Sequence, residues 1–326
     1  YHGGPSSVSR KTKEAPLMGS CKTKIATTVF ASILVVLSEP SVTVWAQDGL
    51  TDLRKVRTFE TEDLLPGELY DFGNPSLLGL AFPPGANTLV VLRPGGAASV
   101  VLVAPRNNGK PSKQGLEIPD PINIAFDPAP RGAEKHGIFR LFLFGKHTDE
   151  LITVKTDARG YMNGKTVRRF KVKELGVQDP QGMTFDTIDE RLIILDRAGP
   201  RLVSIDAAPG REFDGKKAVR DGNISQVFLP ANLGEMRGIA FNPTNGNLFI
   251  FGRAKKKLYE LSVDGEIVTT RDIAGLGLEN LQAMTFAPSV DRTDDPAVID
   301  LYTATSSGSN GELTAWSLNA APRRAQ

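Results

Sequence analysis

The chain has 326 residues, 40% of them apolar and 23% charged, so its composition is that of a globular protein large enough to bury a substantial core. Its formal charge of +2 depends on the first 46 residues, since removing their five basic and two acidic side chains leaves 34 basic against 35 acidic ones. A net charge of −1 over the remainder gives no reason to expect nucleic acid or an anionic membrane as partner.

Residues 1–46 are predicted to be upstream residues and a signal peptide. Met18 opens a short basic segment, residues 25–37 form an uncharged run of 13 residues, and Val44-Trp45-Ala46 carries small residues where a signal peptidase reads them. The run is short for a bilayer span; a membrane anchor or a disordered leader is the alternative. Because Cys21 is the one cysteine, we expect residues 47–326 to form a single disulfide-free domain, secreted or periplasmic and not membrane-bound.

The remaining chain repeats one unit of short apolar runs. A first strand is predicted at 55–61, and five units follow, each opening with a run that ends in phenylalanine. Turns rich in Gly, Pro, Asn and Asp separate further runs that are rich in β-branched and aromatic residues, which indicates strands. A unit of four strands that recurs every 44 to 59 residues is typical of a β-propeller blade. The aligned phenylalanines are Phe82, Phe126, Phe185, Phe241 and Phe286.

Five units predict an all-β, five-bladed propeller. The last unit ends after its third strand, so we expect strand 55–61 to pair with residues 312–317 and to close the ring without an open sheet edge. A six-bladed ring is the alternative. It would require a degenerate blade, and residues 206–236 are the one short segment that could supply it.

Three segments carry a resemblance to a known family: VRTFETEDL, GIAFNPTNGNLFI and FAPSVDRTDDPAVIDLYTATSSGSNGELTAWSL. Over about residues 55–318 the chain resembles the NHL-repeat propellers of secreted bacterial proteins. The resemblance implies a propeller fold and a binding platform, because such propellers mostly serve as binding platforms and many have no assigned activity. Related blades usually carry an acidic residue just after the second strand, and here Asp196 alone keeps it.

Catalytic motifs are absent from the sequence: there is no GxSxG and no HExxH, and residues 47–326 contain two histidines, His136 and His147. Related six-bladed lactonases bind calcium through carboxylates at the start of inner strands. Here no carboxylate stands four residues before any aligned phenylalanine, so we predict no metal and no cofactor. The residues at these positions are Leu78, Ile122, Gln181, Arg237 and Gln282, of which Gln181 and Gln282 are predicted to line the channel.

Basic residues recur where the second strands end. They are Arg93, Lys146, Arg197 and Arg253, and Arg237 begins an inner strand on the same face. Arg and Lys at a propeller mouth suit carboxylate, sulfate or phosphate groups. We therefore predict a monomeric binding module that recognises a protein or an anionic glycan through a basic rim. Whether it is an enzyme stays open: the alternative is a secreted hydrolase, lactonase-like or phytase-like, with an unrecognised site in the channel.

Overall fold

The structure, a computed structural model, describes part of one compact unit that spans Gln47–Gln326. The described residues are 53–60, 79–81, 89–93, 98–103, 112–116, 121–127, 139–145, 149–156, 164–206, 213, 218, 221–278, 280–289, 298–307 and 310–318. Residues 1–46 lie outside them, so the signal peptide stays a prediction. No helix among the described residues is long and apolar enough to cross a membrane.

The described strands form five four-stranded antiparallel sheets, which we number blades I to V. Four blades each consist of four consecutive strands, whereas blade V takes its outer strand from the N-terminal end of the unit. The strands are β1 (Leu53–Glu60); β2 (Gly79–Ala81), β3 (Leu89–Arg93), β4 (Ala98–Val103) and β5 (Ser112–Leu116) in blade I; β6 (Pro121–Asp127), β7 (Phe139–Gly145), β8 (Glu150–Thr156) and β9 (Arg168–Lys171) in blade II; β10 (Pro180–Asp186), β11 (Arg191–Asp196), β12 (Arg201–Asp206) and β13 (Ile224–Phe228) in blade III; β14 (Met236–Phe241), β15 (Leu248–Gly252), β16 (Lys257–Leu261) and β17 (Ile267–Asp272) in blade IV; and β18 (Leu281–Pro288), β19 (Ile299–Ser307) and β20 (Asn310–Leu318) in blade V.

The inner strands of successive blades pack against one another around an axis. Strand β2 contacts β6, β6 contacts β10, β10 contacts β14, β14 contacts β18, and β18 contacts β2. This arrangement is a β-propeller. It corrects the fold-class prediction, which left a sixth blade open at residues 206–236: the described part of that segment contains β13, a 3-10 turn at Ala231–Leu233 and the start of β14. The six-bladed alternative is therefore wrong.

Blade V joins the two ends of the compact unit. Strand β1 pairs antiparallel with β20, with Lys55 opposite Trp316 and Thr58 opposite Thr314. Trp316 is buried, donates its Nε1 hydrogen to Thr303 Oγ1 at 2.8 Å and packs in one apolar cluster with Leu53. The pairing expected between residues 55–61 and 312–317 is thus present, and it covers the edge that β20 would otherwise expose.

The aligned phenylalanines pack between blades. Phe126, Phe185, Phe241 and Phe286 are all buried, as predicted, whereas Phe82 lies outside the described residues. Phe185 of blade III stacks on Phe142 of blade II, and the Phe286 ring of blade V meets Phe249 of blade IV edge-on at 5.0 Å. Blades II and III, and likewise blades IV and V, therefore share an apolar layer to which each contributes an aromatic ring.

The axis is narrow between the inner strands whose side chains are described. Ile124, Met183, Ile239 and Met284 surround a space of about 10 Å³ there. That volume is at the lower limit for one water molecule. The space between these four side chains therefore has no room for a ligand larger than a water molecule.

Candidate binding site at the mouth of the propeller

A cavity of about 400 Å³ opens on the face where the inner strands begin. Its wall includes Asn123, Gln181, Arg237 and Gln282, which lie near the starts of four different inner strands. The segment 172–180, which leads into β10, forms one side. We call this space the mouth cavity.

Some of the predicted site residues line the mouth cavity, and others do not or are not described. Arg197, Arg237, Gln181 and Gln282 line the mouth cavity, whereas Arg253 is not among its lining residues. Arg93 is the last residue of β3, and its side chain is not described. Lys146 lies outside the described residues.

Asp196 organises the blade III side of the cavity. Its side chain is fully buried. Its carboxylate accepts hydrogen bonds from the backbone N–H groups of Gln178, Asp179 and Ala198 at 2.8–3.2 Å. Arg201 donates to it from Nε at 3.1 Å and from Nη2 at 2.8 Å. The acidic residue that the family resemblance singled out is therefore a structural anchor for the loop that precedes β10.

The loop held by Asp196 presents Asp179 to two cavity residues. Arg197 Nε donates to Asp179 Oδ2 at 2.7 Å, and Gln181 Nε2 donates to Asp179 Oδ1 at 2.7 Å. The backbone N–H of Arg197 also bonds to the carbonyl oxygen of Asp179 at 2.9 Å. In blade III, the predicted cation and the predicted channel amide thus both bind one carboxylate.

Blade IV repeats this arrangement in a looser form. Glu235 occupies the place of Asp179, and its carbonyl accepts the N–H of Arg253 at 2.8 Å. Its carboxylate is 3.6 Å from Arg253 Nη1 and 3.9 Å from Arg237 Nε. Arg237 Nε is buried and makes no hydrogen bond within the described part of the chain. Arg237 is therefore held less firmly than Arg197.

Carboxylates stand beside the described arginines of the predicted basic rim. Each of the described arginines at Arg197, Arg237 and Arg253 has an acidic side chain within 4 Å. A signal for them was present in the sequence, six residues before the aligned phenylalanines rather than four. The acids at that spacing are Asp120, Asp179 and Glu235, of which Asp120 lies outside the described residues.

The charged and amide groups of the cavity suit binding. Its lining includes three cations, Lys173, Arg197 and Arg237, and two carboxylates, Asp149 and Asp179. No Ser, Thr, Cys or His is among the described residues that line it. No group of three His, Cys, Asp or Glu residues that could hold a metal ion occurs in the described ranges. The geometry presents hydrogen-bond donors and a small positive excess to a ligand.

Comparison with known proteins gives similarity to solved structures only. No family model matches the chain, and no curated protein matches it. Its structure is similar to one in the nidogen/laminin complex, with 17% identity over 72% of this chain and 73% of that chain and a TM-score of 0.45. It is also similar to virginiamycin B lyase of Staphylococcus aureus, in a structure with quinupristin. The identity is 13% over 73% of this chain and 66% of that chain, and the TM-score is 0.39.

A third similar structure is the tail fiber of Staphylococcus aureus phage P68. It is 9% identical over 80% of this chain, with a TM-score of 0.46, and this chain spans about half (52%) of its length. Similarity at these levels carries no conclusion about a ligand or an activity.

Proposed function

We propose that this chain is an exported, NHL-type propeller that binds an acidic group of a glycan or protein in the mouth cavity. The observation that carries the proposal is the state of Arg237. It lies in the cavity wall, about a third of its side chain is exposed, and its Nε makes no hydrogen bond in the described part of the chain. Because Nε itself is buried, an incoming anion would contact the exposed part of the side chain, and the nearest described carboxylate, that of Glu235, lies 3.9 Å from Nε, beyond hydrogen-bonding distance.

The chemistry of Arg237 favours a planar or tetrahedral oxyanion. A guanidinium presents its donors in a fixed fork, which matches two oxygens of a carboxylate or sulfate. The lining amides of Asn123, Gln178, Gln181 and Gln282 supply donors and acceptors for the neutral part of the same ligand. A cavity of about 400 Å³ has the size of a small-ligand site, so it fits a sugar residue or an acidic side chain.

The hydrolase alternative has less support in this cavity. Its acidic residues are Asp149 and Asp179, and Asp179 is already bound by Arg197 and Gln181. A general base needs a carboxylate that can reach the substrate. Asp149 is then the remaining acidic residue among the described lining residues, which include no Ser, Thr, Cys or His to act with it, so the proposal is limited to binding.

The test is binding to an array of sulfated, uronic-acid-containing and neutral glycans together with acidic peptides. We expect acidic members to bind, and binding to weaken between about 50 and about 500 mM salt because screening increases. Arg237→Gln should lower affinity about tenfold, the effect of one charge-assisted contact.

Arg253→Gln is the matched control. It removes the same charge next to the same Glu235 but lies outside the cavity wall, so its affinity should stay within about twofold of the unaltered protein. Equal losses in the two variants would show that the whole rim binds the ligand. An unaffected Arg237→Gln protein would refute the site.

A further inference from the structure

The outer strand of blade III has an unguarded edge. The last strand of a sheet presents backbone groups to solvent, and proteins usually guard it with charges, prolines or bulges so that no other chain pairs with it. Strand β13, with the sequence ISQVF, carries no charge and no proline, and its register with β12 is regular. The other outer strands that the structure describes all carry charged residues: Arg54, Lys55, Arg57 and Glu60 in β1; Lys113 in β5; Arg168, Arg169 and Lys171 in β9; and Arg271 and Asp272 in β17.

Alternate residues of β13 direct their backbone groups away from β12. The N–H of Asp206 donates to the Asn223 carbonyl at 3.1 Å, and the N–H of Leu229 donates to the Pro200 carbonyl at 2.8 Å. Because hydrogen-bonded and non-hydrogen-bonded pairs alternate along an antiparallel ladder, these two bonds define the pattern between them. The residues whose N–H and C=O groups face outward are Ile224, Gln226 and Phe228. Within the described part of the chain, no other segment bonds to these groups.

The side chains of the outward-facing residues share one face of the blade. Phe228 lies opposite Arg201 and Ile224 lies opposite Ile205, and directly opposite side chains point to the same face. Ile224 is partly buried against the apolar cluster of blades II and III, whereas Phe228 is 71% exposed. Between them, Gln226 Oε1 accepts a hydrogen bond from Arg201 Nη1 at 3.1 Å. A large apolar ring thus stands exposed at the one uncharged outer strand that is described.

The open edge is short and has defined limits. Pro230, two residues after β13, has no N–H with which a ladder could continue. Gly265, in the turn between β16 and β17, packs against the same end of the strand. A Cβ at Gly265 would lie 2.8 Å from Val227 Cγ1 and 3.6 Å from the Phe228 carbonyl oxygen. In the described part of the chain, the open edge therefore runs from Ile224 to the N–H of Phe228.

We propose that a second copy of this chain pairs its own β13 with this edge, antiparallel and about a two-fold axis beside Gln226. The outward-facing residues are spaced by two and are symmetric about Gln226, so Gln226 meets Gln226 of the partner subunit, and Ile224 meets Phe228 of the partner subunit. The central pair exchanges two hydrogen bonds, and each Phe228 N–H reaches an Ile224 carbonyl, which gives at least four.

The chemistry of the strand favours a second copy over a different partner. A two-fold interface requires a patch that complements itself. Strand β13 meets this requirement, because in the symmetric register its apolar residues oppose each other and no like charges are brought together. Pairing would also cover the exposed Phe228 ring with Ile224 of the partner subunit. The expected assembly is therefore a dimer in place of the monomer that the sequence predicts.

The first test is the association of the full-length protein, measured by sedimentation velocity between about 1 and about 200 µM. A pair of five-residue strands is smaller than a standard interface, so the dissociation constant should be in the micromolar range. Gln226→Pro removes only an outward N–H and sets its ring against the partner strand. It should weaken the dimer at least about tenfold and leave the melting temperature nearly unchanged.

Thr270→Pro in blade IV is the matched control. Ile273 donates its N–H to the Lys256 carbonyl at 3.0 Å, so by the same alternation the Thr270 N–H points outward from the outer strand β17. Thr270 is exposed like Gln226. Its replacement by proline should leave the dissociation constant of the dimer within about twofold, because β17 lies outside the proposed interface.

The second test checks the register by cross-linking. The Cα atoms of a hydrogen-bonded antiparallel pair are about 5.5 Å apart, within the range that a disulfide spans. Gln226→Cys, combined with Cys21→Ser to remove the natural cysteine, should therefore form a covalent dimer under mild oxidation. Thr270→Cys in the same background should form at least about tenfold less of it.

Each outcome supports or overturns the two-fold pairing. A protein that sediments as a monomer at about 200 µM would overturn it, and so would association that Gln226→Pro leaves unchanged, since another surface would then be responsible. Equal cross-linking of the two cysteine variants would indicate random collision. Uptake of an uncharged synthetic strand peptide by a protein that stays monomeric would assign the edge to another partner. None of these results bears on anion binding by Arg237, because β13 does not line the mouth cavity.

Discussion

Blades III and IV build the same corner of the mouth with different residues. In both, an acidic residue precedes the inner strand, and the arginine that follows the second strand bonds back to its carbonyl. The second strand ends at Asp196 in blade III, where it faces Arg201, and at Gly252 in blade IV, where it faces Lys257. Blade III therefore has a buried acid at a position where blade IV has no side chain.

This difference decides how firmly the mouth arginines are held. Asp196 binds the loop that carries Asp179, and Arg197 then reaches that carboxylate at 2.7 Å. At Gly252 a Cβ would lie 2.6 Å from a Tyr259 ring carbon and 3.1 Å from the Leu233 carbonyl oxygen, so an anchoring acid does not fit. Glu235 consequently stands 3.6 and 3.9 Å from its arginines. Blade III therefore holds Arg197 firmly, whereas blade IV leaves Arg237 available to a ligand.

Removing the blade III anchor should have the largest effect. Asp196→Ala leaves the N–H groups of Gln178 and Asp179 and the Nε of Arg201 without their acceptor. Loss of one partner of a buried ion pair costs about 3–5 kcal/mol. Urea unfolding should show this decrease in the free energy of unfolding. Asp206→Ala, an exposed residue at the end of the next strand, should stay within about 0.5 kcal/mol; equal effects would contradict the anchoring role.

Adding a side chain to the blade IV position should be the next most damaging change. Gly252→Ala forces Tyr259 to move, and overpacking of this kind costs about 1–3 kcal/mol. Denaturant unfolding of Gly252→Ala, Tyr259→Leu and the double variant measures the coupling. We expect the glycine substitution to cost less in the Tyr259→Leu background, because the ring that it meets is gone. Strictly additive costs would show that the two residues do not compete for space.

Neutralising Asp179 and Glu235, the carboxylates beside the mouth arginines, should have small and unequal effects. Asp179→Asn should lower stability by up to about 1 kcal/mol, because it weakens short contacts to Arg197 and Gln181, whereas Glu235→Gln should stay near zero. Calorimetric titration with an acidic glycan should show the opposite order for binding. Glu235→Gln should tighten it by removing the carboxylate nearest Arg237, and a weaker Glu235→Gln complex would argue against Arg237 as the anion contact.

Glu150 in blade II is a third carboxylate that binds basic side chains. Arg169 Nη1 and Lys171 Nζ both lie at hydrogen-bonding distance from it, at 3.2 and 3.1 Å. Its pKa is lowered from 4.5, so the folded protein binds this proton less readily than the unfolded chain. The stability that it adds is present above about pH 4.5 and is lost as the pH falls through the folded pKa. The stability difference between the unaltered protein and Glu150→Gln, measured from neutral to acidic pH, should shrink in that window; a constant difference would contradict this.

Some features followed from local sequence. Repeated runs ending in Phe126, Phe185, Phe241 and Phe286 predicted inner strands whose rings are buried, and the β-propeller is confirmed. The runs also placed the first strand against the last because an unpaired outer edge had to be covered. The ion pairs were missed. Asp179 and Arg197 are 18 residues apart, as are Glu235 and Arg253, and each acid lies two residues before the position at which the sequence predicts residues of the channel or rim.

The sequence by itself determined where most of the strands lie, because alternation of apolar runs with Gly, Pro, Asn and Asp turns is a local property of the chain. It also placed cations at the ends of the second strands. Only the tertiary structure decided what those cations do. A charge in a loop has no defined role until the packing of several strands sets which acid it meets, at what distance and with how much water. Buried Asp196 engages Arg197 indirectly through its loop, the Tyr259 ring excludes a similar anchor from blade IV, and Arg237 is left facing the cavity.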